Sequence, residues 1–252
     1  MNAAESVSGT SSKRGLVVAC ALAFAAFATL ASLGLWQMQR LAWKEGLIAQ
    51  IEARSHAEPT ELPPRAQWAA LDPEQYEYRR VRATGRFEHE REVQIFRASG
   101  PNAGLSQPGY LVVTPLRLAD GAHVLVTRGF VPEANRDPAT RPAGQIPGEV
   151  TIVGLMRGPE SRNAFTPADD PARNAWFTRD PALIAGSLGL ADAAPFSIDA
   201  DATPVPGGLP RGGATVVAIK NDHLSYALTW FGLAATLVAV FGLVMLKRLR
   251  GR

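Results

Sequence analysis

Two uncharged runs dominate the pattern of the chain, one from Gly15 to Gln39 and one from Leu224 to Leu246, and all 19 prolines fall between them, from Pro59 to Pro210. Proline disrupts helix interiors, so its absence leaves both runs free to be helical. Gly15 to Met38 is 24 residues and Leu224 to Leu246 is 23. As helices they reach about 36 and 34 Å. Each predicts a transmembrane helix, since a hydrocarbon layer of about 30 Å is crossed by either with some tilt. A cleavable signal peptide is the rival reading of the first run, with Lys13 and Arg14 as its basic flank. The apolar stretch exceeds the roughly 7 to 15 residues of such signals, which favours an uncleaved anchor.

The helical phase persists past Met38. At about 100° per residue, Trp36, Arg40, Trp43, Leu47 and Ile51 share one stripe, which predicts a helical extension over 39–54. From 55 to 222 the pattern changes to short β-branched and aromatic runs separated by Pro and Gly. Candidate strands are Tyr78–Phe87, Arg91–Arg97, Gly109–Leu118, His123–Val131, Val150–Arg157, Phe196–Asp199 and Ala214–Ile219. Asp120-Gly121 predicts a type I′ hairpin turn. Asp180-Pro181 predicts the capped start of a short helix over Ala182–Leu188. His56 to Pro73 reads as a polar connector.

The organisation expected is a tail at 1–14, a transmembrane helix at 15–38, its extension at 39–54, a β-rich domain at 55–222, a second transmembrane helix at 223–246 and a basic tail at 247–252. The fold class is therefore an α+β membrane protein, two transmembrane helices flanking an external β-rich domain.

Charge refines this picture. The chain has 26 Lys+Arg against 23 Asp+Glu, but the excess is partitioned. Residues 1–14 and 247–252 carry a net +5, and the remainder has 20 basic against 22 acidic residues. The basic excess thus belongs to membrane flanks and not to a nucleic-acid surface. Four basic residues follow Leu246, whereas Arg211 and Lys220 are the close ones before Leu224. By the positive-inside bias this places both termini in the cytoplasm and the central domain outside. Arg40, Lys44 and Arg54 argue the other way, but long domains translocate largely regardless of charge. Cys20 is the one cysteine, which excludes an intramolecular disulfide, a Cys-x-x-Cys pair and a thiolate zinc site.

His223, Tyr226 and Trp230 fall within about 60° of one another at the start of the second run. Asn221 or Asp222 is placed to cap that helix. These residues, with Trp36 and Arg40, have two readings. One is an interfacial aromatic belt. The other is a haem pocket with an imidazole ligand, aromatic walls and an arginine for a propionate. His56, His89 and His123 are scattered singly and read as surface or hairpin residues. Asp199 with Asp201, and Asp169 with Asp170, are candidate hard-metal pairs, although turns favour aspartate for local bonding. Arg80, Arg82 and Arg86 share a strand face, read as solvated or as contacting an acidic surface. No Gly-x-Ser-x-Gly elbow, Walker loop or dinucleotide fingerprint occurs, so the chain is not expected to be an enzyme.

Several segments carry a resemblance: LGLWQMQRLAWKEGLI at 33–48, RRVRATGRFEHEREV at 79–93, GYLVVTPLRLADGAHVLVTRGFVP at 109–132, VTIVGLMRGPE at 150–160, NAWFTRD at 174–180, FSIDAD at 196–201 and NDHLSYALTWFGLAA at 221–235. In these the chain resembles the surfeit-locus protein 1 (Shy1-type) family of cytochrome c oxidase assembly factors, over roughly residues 30 to 240. Thr127 and Phe130 depart from the Asn and Trp usual in that family. The resemblance implies an assembly factor that binds haem a and assists its insertion into oxidase subunit I, with His223 as iron ligand and Trp230, Tyr226, Arg40 and Trp36 around it. It implies oxidase subunit I, haem a synthase and membrane lipid as partners, no nucleic acid, and a bacterial inner (plasma) membrane location with the central domain periplasmic. A cofactor-free membrane scaffold for subunit I is the alternative.

Overall fold

The computed structural model describes residues 5–98, 107–213 and 221–250. The chain divides into two compact units, residues 1–49 with 219–252, and residues 50–218.

The first unit contains most of α1 (Glu5–His56) and all of the terminal helix (His223–Arg250). Both are long and apolar enough to cross a membrane, by length and composition. Their most shielded positions recur every three or four residues: Leu30, Gly34, Gln37, Leu41 and Lys44 on α1, and His223, Ala227, Trp230, Ala234, Leu237 and Phe241 on the terminal helix. That spacing lays one seam along each helix. Small residues let the backbones come close, and Gly34 is the extreme case. A Cβ there would lie 2.5 Å from Cε1 of Phe231.

The second unit is the β-rich domain, so the mixed architecture of two apolar helices and a central sheet domain agrees with the pattern read from the chain. Its strands are β1 (Thr60–Glu61), β2 (Arg80–Phe87), β3 (Val93–Arg97), β4 (Gly109–Leu118), β5 (His123–Pro132), β6 (Glu149–Arg157) and β7 (Ala193–Ala200), joined in the order β1-β2-β6-β7-β5-β4-β3. An additional β2–β4 pairing through Gly85–Phe87 and Leu116–Leu118 closes five of them into a ring. β1 pairs with β2, and β5 with β7, in parallel, and the other pairs are antiparallel. Alternation then sorts the side chains. Val81, Ala83, Phe87, Leu116, Val124, Val126, Met156, Phe196 and Ile198 form one buried cluster. Val93, Ile95, Leu111, Val113 and Leu125 form another, beneath a short helix at Pro181–Ser187. Asp180 caps that helix by accepting from the Ala182 and Leu183 amides, as its sequence predicts.

Three details differ from the sequence reading or lie beyond it. The Asp120-Gly121 hairpin forms without a type I′ turn, because Gly121 alone adopts a positive φ (84°). Gly121 donates to the Leu118 carbonyl, and Leu118 donates to Ala122, which is a three-residue loop with a G1 bulge. The Asp120 side chain makes that choice by accepting the Ala122 amide at 3.0 Å, a bond local to a right-handed turn. The connector from His56 to Pro73 is not merely polar. It contributes β1 and buried Trp68, whose indole donates to the Pro63 carbonyl and packs edge-on against Phe196. The candidate strand Ala214–Ile219 lies outside the described residues.

Candidate functional site

At the start of the terminal helix the Asn221 side chain accepts the His223 amide at 3.4 Å, and Tyr226 donates to the Asp222 carbonyl. The first satisfies one of the amides a helix start leaves open, and the second is the first internal bond of the helix. They also fix where the His223 side chain departs. Its ring turns to the seam, where Nδ1 lies 2.7 Å from Oε1 of Gln37 on α1. Gln37 is buried, whereas Gln39, the other carboxamide of the run, is exposed. A carboxamide oxygen only accepts, so Nδ1 is the donor of this bond, and in the neutral ring the lone pair then lies on Nε2. This tautomer leaves Nε2 free to bind a metal.

The neighbours named from sequence are distributed unevenly. Trp230, two turns along the same face, is half-buried. Tyr226 and Trp36 are exposed, at 56% and 52% of their surface. Arg40 is also exposed, its guanidinium 4.1 Å above the Trp43 ring. The contact that joins the two helices here is therefore His223 with Gln37. Helical phase does not single out Gln37, because the aromatic stripe of α1 is centred about 80° away. The available signal was its chemistry: a side-chain amide in an apolar span demands a partner.

The other candidates have structural partners. Asp199 is buried between Arg179, at 2.8 Å, and Arg157, at 3.2 Å. Asp201 pairs with Arg80 at 2.6 Å. Asp169 is bonded to Arg162 and to the Phe177 amide, which hold its carboxyl below the usual range against the upward push of burial. Asp170 caps a short turn through the Arg173 amide. Among the described residues no cluster of three or more His, Cys, Asp or Glu could hold a metal ion. Arg82 and Arg86 remain on an exposed strand face. His123 reaches Glu88 at 3.3 Å, and His56 closes the end of α1 on the Glu52 carbonyl. His89 donates from Nε2 to the Ile146 carbonyl at 2.9 Å, and its Nδ1 faces Arg128 at 3.4 Å. Burial is the main cause that lowers its pKa, and Arg128 adds to it, while the Ile146 bond and the charges of Glu92 and Glu90 oppose.

Comparison with known proteins shows the family. The profile of the SURF1 family matches residues 24–235, from within α1 to the middle of the terminal helix. The chain belongs to the SURF1 family. It is 41% identical over 220 residues to surfeit locus protein 1 of Xenopus tropicalis, an alignment covering 81% of this chain and 68% of the relative. Against the Homo sapiens protein the identity is 41% over 220 residues, covering 82% and 71% respectively. A SURF1-like protein of Monosiga brevicollis is 41% identical over 232 residues, covering 87% and 84%. The family match thus includes Gln37 and His223, the two halves of the interhelical contact, together with the whole β-rich domain.

Proposed function

We propose that this SURF1-family protein crosses a membrane twice and assists assembly of cytochrome c oxidase by holding haem a transiently at His223 for insertion into oxidase subunit I. The observation that carries the reading is the His223–Gln37 bond, because it presents an imidazole Nε2 lone pair at the end of an apolar helix pair. Haem a, as cargo, brings an iron that accepts an imidazole, an apolar ring and charged propionates. A site at the end of two spans suits that mixture. The ring is shielded by apolar side chains, while carboxylates stay at headgroup depth, where their charge is least costly.

In this reading His223 supplies the iron ligand, Gln37 sets its tautomer, and Trp230 lies in phase to flank the ring. Trp36 and Tyr226 offer exposed aromatic surface. Arg40, stacked on Trp43 by its face, keeps its in-plane donors for a propionate. One imidazole makes one axial bond, which favours release to the acceptor. The charge bias supports cytoplasmic termini and an external central domain, which in a bacterial inner membrane would be periplasmic. Haem a synthase, subunit I and membrane lipid are the partners this route requires, and no bond-breaking step is assigned to the protein.

A second reading, a cofactor-free scaffold for subunit I, is favoured by the same contact seen as a clamp. The His223–Gln37 bond and the Gly34–Phe231 approach would then serve only to hold the helices together. The assembly role itself is tested by the haem a content of the terminal oxidase in cells lacking this gene. The expected result is a fall in haem a per subunit I, and a normal content would overturn the role.

A further inference from the structure

We propose that the β-rich domain carries a second ligand site, a cavity of about 330 Å³ in which Arg128 receives the carboxylate of a small acid with an apolar body. The inference is independent of haem handling and rests on how the domain treats its buried cations.

Three arginines are buried in this domain, Arg128, Arg141 and Arg179. Arg141 forms a bidentate pair with Glu92, and Arg179 grips both oxygens of Asp199. Arg128 differs. Its partners among the described residues are neutral: the Gly144 carbonyl, Nδ1 of His89 and the face of Phe87, 4.9 Å from its guanidinium carbon. Glu92 is the acidic residue whose field reaches it, but that carboxylate is already bonded to Arg141, whose charge opposes the effect. Burial consequently lowers the Arg128 pKa to about 10. An unpaired buried guanidinium is costly to keep, and an incoming carboxylate would offset that cost through charge-assisted bonds.

The local backbone places this side chain deliberately. Val112 pairs with Gly129 and Val113 with Thr127, so Arg128 is the extra residue of a bulge in β5. Bulges re-aim side chains, and here Arg128 joins Phe87, Ile146, Val150, Ile152 and Val205 around the cavity. The one carboxylate in the wall, Asp201, is engaged by Arg80. The chemistry therefore selects one class of ligand. A cation is repelled by Arg128, a neutral molecule leaves it unpaired, and a phosphate dianion would strand surplus charge against apolar walls. The volume lies at the small end of ligand sites, roughly 300 Å³ and above, which suits an acid of octanoate size.

The test uses the full chain in lipid nanodiscs, titrated calorimetrically with octanoate, octanol and octylamine, with empty nanodiscs subtracted. Saturable binding of octanoate alone is expected. Arg128→Lys should weaken it at least tenfold. Val150→Trp, which fills the cavity and leaves Arg128 in place, should abolish it, with thermal unfolding used to verify that each variant is folded. Should Arg128→Lys fail to fold, Val150→Trp decides. No saturable octanoate binding to the wild type, equal binding of octanol, or undiminished binding to folded Val150→Trp would each overturn the proposal.

Discussion

His223 and Gln37 are 186 positions apart in the chain and meet through a 2.7 Å hydrogen bond between Nδ1 and Oε1. The bond does two things at once. It gives a buried carboxamide oxygen a donor, and it selects the neutral tautomer whose lone pair lies on the second ring nitrogen. The first effect is structural and the second is chemical, and substitutions at Gln37 separate them.

Replacing Gln37 by Leu puts an apolar side chain of similar size in the seam and removes the acceptor. Outer partners of metal-bound histidines are typically worth about 10- to 100-fold in affinity, so Gln37→Leu should reduce haem a retention about tenfold or more. Gln37→Glu retains an acceptor and should retain most of the haem. The measurement is Soret absorbance per mole of protein purified from cells that make haem a. Equal retention in Gln37→Leu and the wild type would show that the bond is only structural.

Gly34 tests the packing. A Cβ at this position meets three atoms of the Phe231 ring between 2.5 and 2.8 Å, so Gly34→Leu must displace the ring or part the helices. Overpacking of this kind costs about 1–3 kcal/mol. Thermal unfolding in detergent should fall for Gly34→Leu and recover in part when Phe231→Ala is added. A double variant no more stable than Gly34→Leu alone would show that Phe231 is not what the new side chain strikes.

The buried Glu92–Arg141 pair should behave asymmetrically. Both side chains are almost fully enclosed, at 3% and 2% exposure. Arg141→Met strips Glu92 of its bidentate partner and should cost about 3–5 kcal/mol. Adding Glu92→Leu removes the stranded charge and should recover a large part of the loss. Denaturant titrations of the two variants and the wild type check the order, and a double variant no more stable than Arg141→Met would contradict it.

His89 gives the domain a dependence on acidity with a definite sign. Burial holds its folded pKa below the ordinary value of 6.5, so below that pH the unfolded chain takes up a proton that the folded domain resists. The stability contributed by neutral His89 is full above about pH 6.5 and falls as the pH drops through that value toward the lower folded pKa. His89→Gln keeps a donor for the Ile146 carbonyl and cannot titrate. The difference in melting temperature between wild type and His89→Gln should therefore shift against the wild type as the pH falls from about 7.5 to 5. A difference that does not vary across this range would contradict the assignment.

Much of this architecture was legible in local chemistry. The two apolar runs, the strand periodicity from Arg80 to Arg157 and the Asp180-Pro181 cap each depend on residues close together in sequence, where pattern is informative. Contacts of long range were not. Nothing in the run around Trp68 announces that it packs on Phe196, and nothing near Asp199 announces two arginines from Arg157 and Arg179. Ring closure through β2 and β4 is likewise a pairing between strands whose separate patterns are ordinary. At the candidate site, His223 was visible as an isolated imidazole at a helix start. Its partner was not, because helical phase ranks side chains by face, and Gln37 lies off the aromatic face of α1. The turn at Asp120-Gly121 departs from its dipeptide signal because the Asp120 side chain bonds the Ala122 amide and stabilises a right-handed conformation in place of the left-handed one.

The central claim is that His223 holds haem a, and the optical spectrum of the purified protein tests it most directly. Wild type and His223→Ala would be isolated from cells that make haem a, with unfolding temperature used to verify that both are folded. The account predicts a Soret band with haem a absorbance in the wild type and its loss, or a reduction of about tenfold or more, in the variant. Equal haem content in the two proteins, or no haem band in either, would contradict it.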